Sequence, residues 1–338
     1  MKNNWLKISW IYVGTIIGAG FASGSEIFLF FGVYGCKGII GITISGILFS
    51  LLGSLLLLKI YNNKIVGFDD LISRIFNRNL KAIIDIIMII SLYTGFSVMV
   101  AGSGAIFKEE LGLSYNYGML VMITLSFMVF LFDLKGLSFI NSLLVPLLIL
   151  GILFTSFYLN IKGGYDFFRI NGLIPTPEIS YFTSSLLYVG SNSLIIIIVF
   201  SSLLPLINNK KTAIYGGLIG GVVLYILGLS ILTVMLIYFH EIVFMDVPML
   251  KISSYIGNNY RKFYAIILWS AVFTTAVANG AGFLNKFASN KYKIIIAILF
   301  CLSSIPLAKL GFSNLVALIY PIFGFVGLFI LIFILVVL

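Results

Sequence analysis

The sequence predicts an all-α integral membrane protein of about ten transmembrane helices. Apolar residues make up 61% of the chain, charged residues only 9%, and the mean hydropathy is +1.15. A water-soluble chain of that composition could not cover its apolar surface, so lipid has to be its solvent. At about twenty residues per crossing plus ordinary loops, 338 residues accommodate about ten helices in a single transmembrane domain, 1–338.

Apolar runs long enough to span fall at 7–33, 37–60, 80–107, 116–132, 138–160, 179–206, 212–239, 260–285, 292–308 and 312–336. The first follows Lys2 and Lys7 in the manner of a signal peptide, but it is too long and too rich in glycine for one, and reads as the first membrane helix. An even number of crossings puts both termini on one side. With the N-terminus in the cytoplasm, thirteen of the 21 Lys and Arg residues fall at cytoplasmic ends, as the positive-inside rule requires of a multi-pass cell-membrane protein. The net charge of +10 lies in the connections and forms no face, so it reads as orientation signal and not as a nucleic-acid surface. Cys36 and Cys301, the two cysteines, sit in or beside apolar segments and suggest neither a disulfide framework nor a metal cluster.

Two connections exceed the rest, around 161–178 and 240–259, and read either as caps over a pathway or as surface loops. Asp85 and Asp133, near cytoplasmic helix ends, read as solvated or salt-bridged. The predicted fifth and tenth helices share a pattern of Phe, Asn, mid-helix Pro and Gly: Phe139, Asn141, Pro146 and Gly151 against Phe312, Asn314, Pro321 and Gly324. That likeness divides the chain into two five-helix units, 1–160 and 161–338, and because five is odd the second copy must be inverted in the membrane.

If the halves correspond, their first helices should match. Helix one carries Gly14, Gly18, Gly20 and Gly24 around its centre, and helix six carries Gly190, Ser191, Asn192 and Ser193 in a similar place. Such clusters lower the cost of leaving helical geometry, and unwound backbone at membrane depth is tolerated only where it lines a cavity. The other reading of the same glycines is small-residue helix packing. Their paired positions favour breaks in both helices at the midplane. The group Gly216 to Gly221 in helix seven has no such counterpart and reads as close packing.

The run GTIIGAGFASGSEIFLFF, residues 14–31, resembles the opening helix of the YkvI-like amino acid permease family. More distantly it is similar to the amino acid–polyamine–cation (APC) superfamily, whose LeuT-type fold has five plus five inverted helices. The resemblance implies a secondary transporter working by alternating access. In sodium-coupled members of that fold a sodium ion lies between the break in helix one and an Ala-x-x-Thr-Ser/Thr pattern in helix eight. WSAVFTTAVANGAGF supplies Ala271, Thr274 and Thr275 at that spacing, and aligning the helix-one motif nominates the carbonyls of Gly14 and Ile17. Five neutral oxygens suit a hard monovalent cation, although adjacent threonines in membrane helices also bond to carbonyls one turn back for no functional reason.

Amides freed around Gly18, Ala19 and Gly20 would face an anionic group such as an amino acid carboxylate, and carbonyls freed near Tyr188, Val189 and Gly190 would receive its ammonium. Tyr93, Phe96, Tyr188 and Asn192 are candidates for side-chain selectivity. Glu26, just past the break, is a functional candidate as an acid inside a span. It would carry a proton, bind a cationic solute or form part of an outer gate, or else sit in a wet vestibule favoured by the N-terminus of the following helical segment. His240 reads as a surface residue beside Glu241. The sequence has no phosphate-binding loop, zincin helix or nucleophile elbow, so the expectation is not an enzyme.

The expected activity is therefore sodium-coupled symport of a small zwitterionic amino acid or related solute, with no cofactor besides the coupling ion. The alternatives are a proton-coupled transporter using Glu26 and a ligand sensor that does not turn over.

Overall fold

A computed structural model describes residues 4–132, 137–163, 179–287 and 292–338. Asp133 and most of the 161–178 connection lie outside them, as do the side chains of Phe139 and Asn141.

Each predicted apolar run is helical. The first comprises α1 (Trp5–Ile16), α2 (Ala19–Ser23) and α3 (Ser25–Phe30), followed by α4 (Cys36–Asn63), the short α5 (Phe68–Ile75), α6 (Arg78–Leu111), α7 (Tyr115–Phe132) and α8 (Leu137–Gly163). The second half has α9 (Tyr181–Ser201), α10 (Lys210–Ile237), two short helices α11 (Phe239–Ile242) and α12 (Pro248–Ser253), then α13 (Asn258–Phe287), α14 (Lys293–Ala308) and α15 (Phe312–Val337). Among the described residues seven helices are long and apolar enough to cross a bilayer, and three further apolar helices are shorter. Outward-facing positions remain apolar, as with Leu318, Ile322, Phe325 and Phe329 on α15, which one-turn spacing gathers into a stripe suited to acyl chains.

Side chains and glycines stop the helices where the sequence places them. Asn77, Ser180 and Asn209 accept N–H groups at the starts of α6, α9 and α10, and α6 ends at Gly112 with φ of 64°, the left-handed stop that glycine supplies. In α5, Arg74 forks onto Asp70 at 2.7 and 2.9 Å and reaches the Asn63 carbonyl at 2.8 Å, fastening this helix to the end of α4. The same guanidinium holds the Asp70 carboxyl below the usual carboxylate range. Asp85 pairs with Lys286 at 2.9 Å, in keeping with the salt-bridged reading, and His240 is exposed.

Small residues set how the helices approach one another. A Cβ on Gly217 or Gly221 would overlap the α4 backbone at Ser54 and Ser50, so the glycine group of helix seven is a packing surface, as predicted. Tyr12 of α1 threads between Gly53 and Gly220 and donates its buried hydroxyl to the Phe49 carbonyl at 2.9 Å. These contacts unite α1, α4 and α10.

A second seam corrects the expectation for helix six. α9 runs without interruption through Gly190, Ser191, Asn192 and Ser193. A Cβ on Gly190 would overlap the Gly324 carbonyl oxygen of α15, one on Gly324 would meet the Leu187 carbonyl, and one on Gly327 would overlap the Gly190 carbonyl. These glycines serve close approach between two continuous helices and not unwinding, so helix one alone of the predicted pair is broken.

The 240–259 connection is built into the bundle. Asp246 donates its N–H to Glu109 of α6 at 2.8 Å, receives the Ser25 hydroxyl of α3 on its carbonyl at 2.6 Å, and accepts the Ser313 N–H of α15 on its carboxylate at 3.2 Å. Arg261 of α13 donates to the Glu109 carbonyl and pairs with Glu110 at 2.6 Å. One aspartate therefore ties three spans together at the end opposite the N-terminus.

Gly190→Ala is expected to destabilise the protein by about 1–3 kcal/mol, because the added methyl meets rigid backbone. Gly18→Ala should leave thermal unfolding in detergent unchanged, since nothing lies within 4 Å of its Cβ position; equal melting of the two variants would contradict the seam. Asp246→Ala should loosen this junction, read as faster thiol labelling of Ser23→Cys, at a position that is buried, in a background lacking Cys36 and Cys301. An unaltered labelling rate would mean that Asp246 does not hold the junction together.

Candidate functional site

The break in helix one follows from two consecutive residues that leave helical geometry. Ile17 has φ −73° and ψ 81°, and Gly18 has φ −98° and ψ −171°. The Gly18 N–H turns back to the Ile16 carbonyl at 2.7 Å, so the Gly14 carbonyl loses the donor that a continuing helix would supply. The first bond of the next segment runs from Ala22 N–H to the Gly18 carbonyl, which leaves the Ile17 carbonyl outside the ladder and places Ala19, Gly20 and Phe21 at the start of α2 with the orphan amides of a first turn. A second turn at Gly24, φ 81°, separates α2 from α3. Neighbours satisfy part of the freed backbone: Tyr264 of α13 donates to the Ala22 carbonyl at 2.7 Å and Ser23 donates to the Gly20 carbonyl at 2.9 Å.

A cavity of about 210 Å³ adjoins this break. Gly18, Ala19, Gly20 and Glu26 of the first span, Ser91 and Thr94 of α6, Ser191 and Asn192 of α9, Thr275 and Asn279 of α13 and Tyr320 of α15 all line it. Several contributors lie mid-helix or toward the end shared with the N-terminus, such as Thr275 and Asn279 on α13. Tyr188 packs against Phe30, Phe31 and Phe49 with ring centroids 5.3, 5.0 and 5.8 Å apart.

Glu26 is 5% exposed. Its carboxyl folds back onto Gly20, where a Cβ would overlap its Oε1, and it shares the cavity wall with Tyr320. A side chain at position 20 would displace the carboxylate from this place. The fully buried Tyr188 hydroxyl lies within electrostatic reach of Glu26 and Tyr320 and has no hydrogen-bond partner.

The structure brings Gly18, Ala19, Gly20, Glu26, Asn192 and Thr275 to one cavity, and it corrects the other substrate candidates. Tyr93 donates to the Ser303 carbonyl of α14 at 2.7 Å, and Phe96 is buried against Phe130 and Phe300, because the face of α6 that bears them turns toward α7 and α14. The Tyr188 carbonyl accepts from Ser191 at 2.9 Å and Asn192 at 3.0 Å, and the Val189 carbonyl accepts from Ser193 at 2.7 Å. With α9 intact and Gly190 pressed on α15, those three residues offer no freed carbonyls to an ammonium group.

Thr274 is buried beside Thr275, and both hydroxyls donate to the Ala271 carbonyl, at 3.1 and 2.8 Å. Each oxygen keeps lone pairs for a further partner. Among the described residues no group of three or more His, Cys, Asp and Glu side chains is placed to hold a metal ion. Sequence reasoning missed Asn279 and Tyr320. The first sits one turn beyond Thr275 on the same face of α13, a spacing that would have named it; the second carried no signal beyond standing before Pro321.

No protein-family model matches the chain. It is 30% identical over 333 residues to the uncharacterised membrane protein YkvI of Bacillus subtilis strain 168, covering 97% of this chain and 94% of the relative. It is 25% identical over 335 residues to the uncharacterised protein YyaD of the same organism, with 97% and 95% covered. Among solved structures, an Eremococcus coleocola manganese transporter in complex with an aromatic bis-isothiourea compound superposes with a TM-score of 0.62 at 15% identity, over 97% of this chain and 78% of the other. An inward-facing conformation of Mhp1 superposes with a TM-score of 0.58 at 11% identity, over 95% and 72%. These structures share the LeuT-type fold that the helix-one motif implied. The architecture and the relationship over nearly full length place the chain in the same family as YkvI.

Proposed function

We propose that the chain is a secondary transporter that carries a small amino-acid-like solute through the cavity at the break in helix one. The observation that supports this reading is the break itself. Backbone gives up helical bonding at membrane depth where it lines a binding cavity, and here the break adjoins one of suitable size whose polar groups come from five spans. The ten apolar runs cross the membrane as two inverted five-helix units, 1–160 and 161–338, with both termini in the cytoplasm. Alternating access then opens the cavity to either side in turn.

Sodium is the proposed coupling ion, held by the carbonyls of Gly14, Ile17 and Ala271 and the hydroxyls of Thr274 and Thr275. The loss of helical partners by the first two carbonyls and the spare lone pairs of the two hydroxyls support the assignment. One charge moved through 100 mV supplies about 2.3 kcal/mol, a gradient of roughly fifty-fold. Glu26 supports a second reading, proton coupling, because it is an ionisable group buried beside the break.

Purified protein in liposomes should take up amino acids from a labelled mixture faster in sodium than in potassium. Thr275→Ala should weaken the sodium dependence by about ten-fold or more, the worth of a lost hydrogen bond to a charged group. Equal uptake in the two media would exclude sodium, and a dependence on an imposed pH gradient that Glu26→Gln removes would establish the proton instead.

A further inference from the structure

We infer that Glu26 is the anchor for a protonated amine on the transported solute, so that the amine, and not a carboxylate, is the obligatory recognition group. This rests on the transporter reading of the same cavity and names the class of solute it would take.

Three observations carry the inference. First, Glu26 is the one ionisable acid or base other than Tyr320 among the described residues lining the cavity. Second, its carboxylate already stands at the first turn of α2, against Gly20. A solute carboxylate brought to the same place would meet the protein's own. Third, α9 is unbroken and its carbonyls at Tyr188 and Val189 already accept side-chain hydroxyls and an amide. An ammonium group in the cavity therefore has no set of freed helix-six carbonyls to enter.

The surrounding polar groups fit such a guest. Tyr320 lines the cavity beside Glu26, and the carboxylate keeps lone pairs for an N–H donor. Asn279 lines the same cavity beside Gly95, and its amide can meet whatever the rest of the solute presents. A primary ammonium offers three donors, and a carboxylate accepts them well.

The test is a thermal-shift panel on the full-length protein in detergent, in sodium and in potassium. The panel comprises the standard amino acids, the amines that remain when their carboxylates are removed, and the acids that remain when their amino groups are replaced by hydrogen. Amino acids or amines should stabilise the wild type, whereas the deaminated acids should not. Glu26→Gln, an isostere, should melt near the wild-type temperature without ligand and lose at least ten-fold in affinity for each active amine. Glu26→Asp should retain part of the response.

Stabilisation by deaminated acids, undiminished amine binding in Glu26→Gln, or a panel in which no amine or amino acid binds would overturn the assignment. Uptake into liposomes separates this from the transporter reading. Uptake that survives Glu26→Gln with unchanged affinity refutes the anchor alone, while binding without accumulation in the wild type refutes transport and leaves the anchor standing.

Discussion

A peptide group inside a bilayer has no water to turn to, and that constraint organises this molecule. Among the described residues the interiors of the long spans keep their amides within their own helices, and the first span departs from that rule where other groups stand ready. Gly18 turns its N–H to a carbonyl two residues back, Tyr264 and Ser23 take two of the carbonyls around the interruption, and the cavity lies where such compensation is incomplete. The site is the remainder of a hydrogen-bond accounting that closes elsewhere.

Much of the architecture was legible because lipid demands long apolar runs and writes them plainly in composition. The first break was legible for a related reason: four glycines within eleven positions have few uses in a membrane helix, and Gly14 to Gly24 are followed by an acid that no lipid-facing surface would hold. Helix six was misread because the same residue type answers two different needs. Gly190 is small so that the backbone of α15 can touch it, and only the position of Gly324 and Gly327 on another helix reveals this.

Side-chain assignments fared according to how much they depended on rotation about a helix axis. Asn192 and Thr275 reach the cavity, while Tyr93 and Phe96 turn toward α7 and α14, where aromatic packing with Phe130, Phe283 and Phe300 absorbs them. In a chain with 31 Phe and 18 Tyr, an aromatic residue at the right depth says little about which way it points. Glu26 is different, since burying a carboxylate is costly enough that its position within a span already implied a partner.

The glycine seam between α9 and α15 has a mechanical consequence. Two helices whose backbones touch at Leu187, Gly190, Gly324 and Gly327 leave no side-chain layer to shear, so neither can swing without dragging the other. Asn192 and Tyr320 are thereby fixed relative to each other, and Thr275 with Asn279 on α13 lines the same cavity from a helix outside that seam. Any displacement of α9 would therefore carry the Tyr320 side of the cavity, and whatever contact it makes with Glu26, along with Asn192.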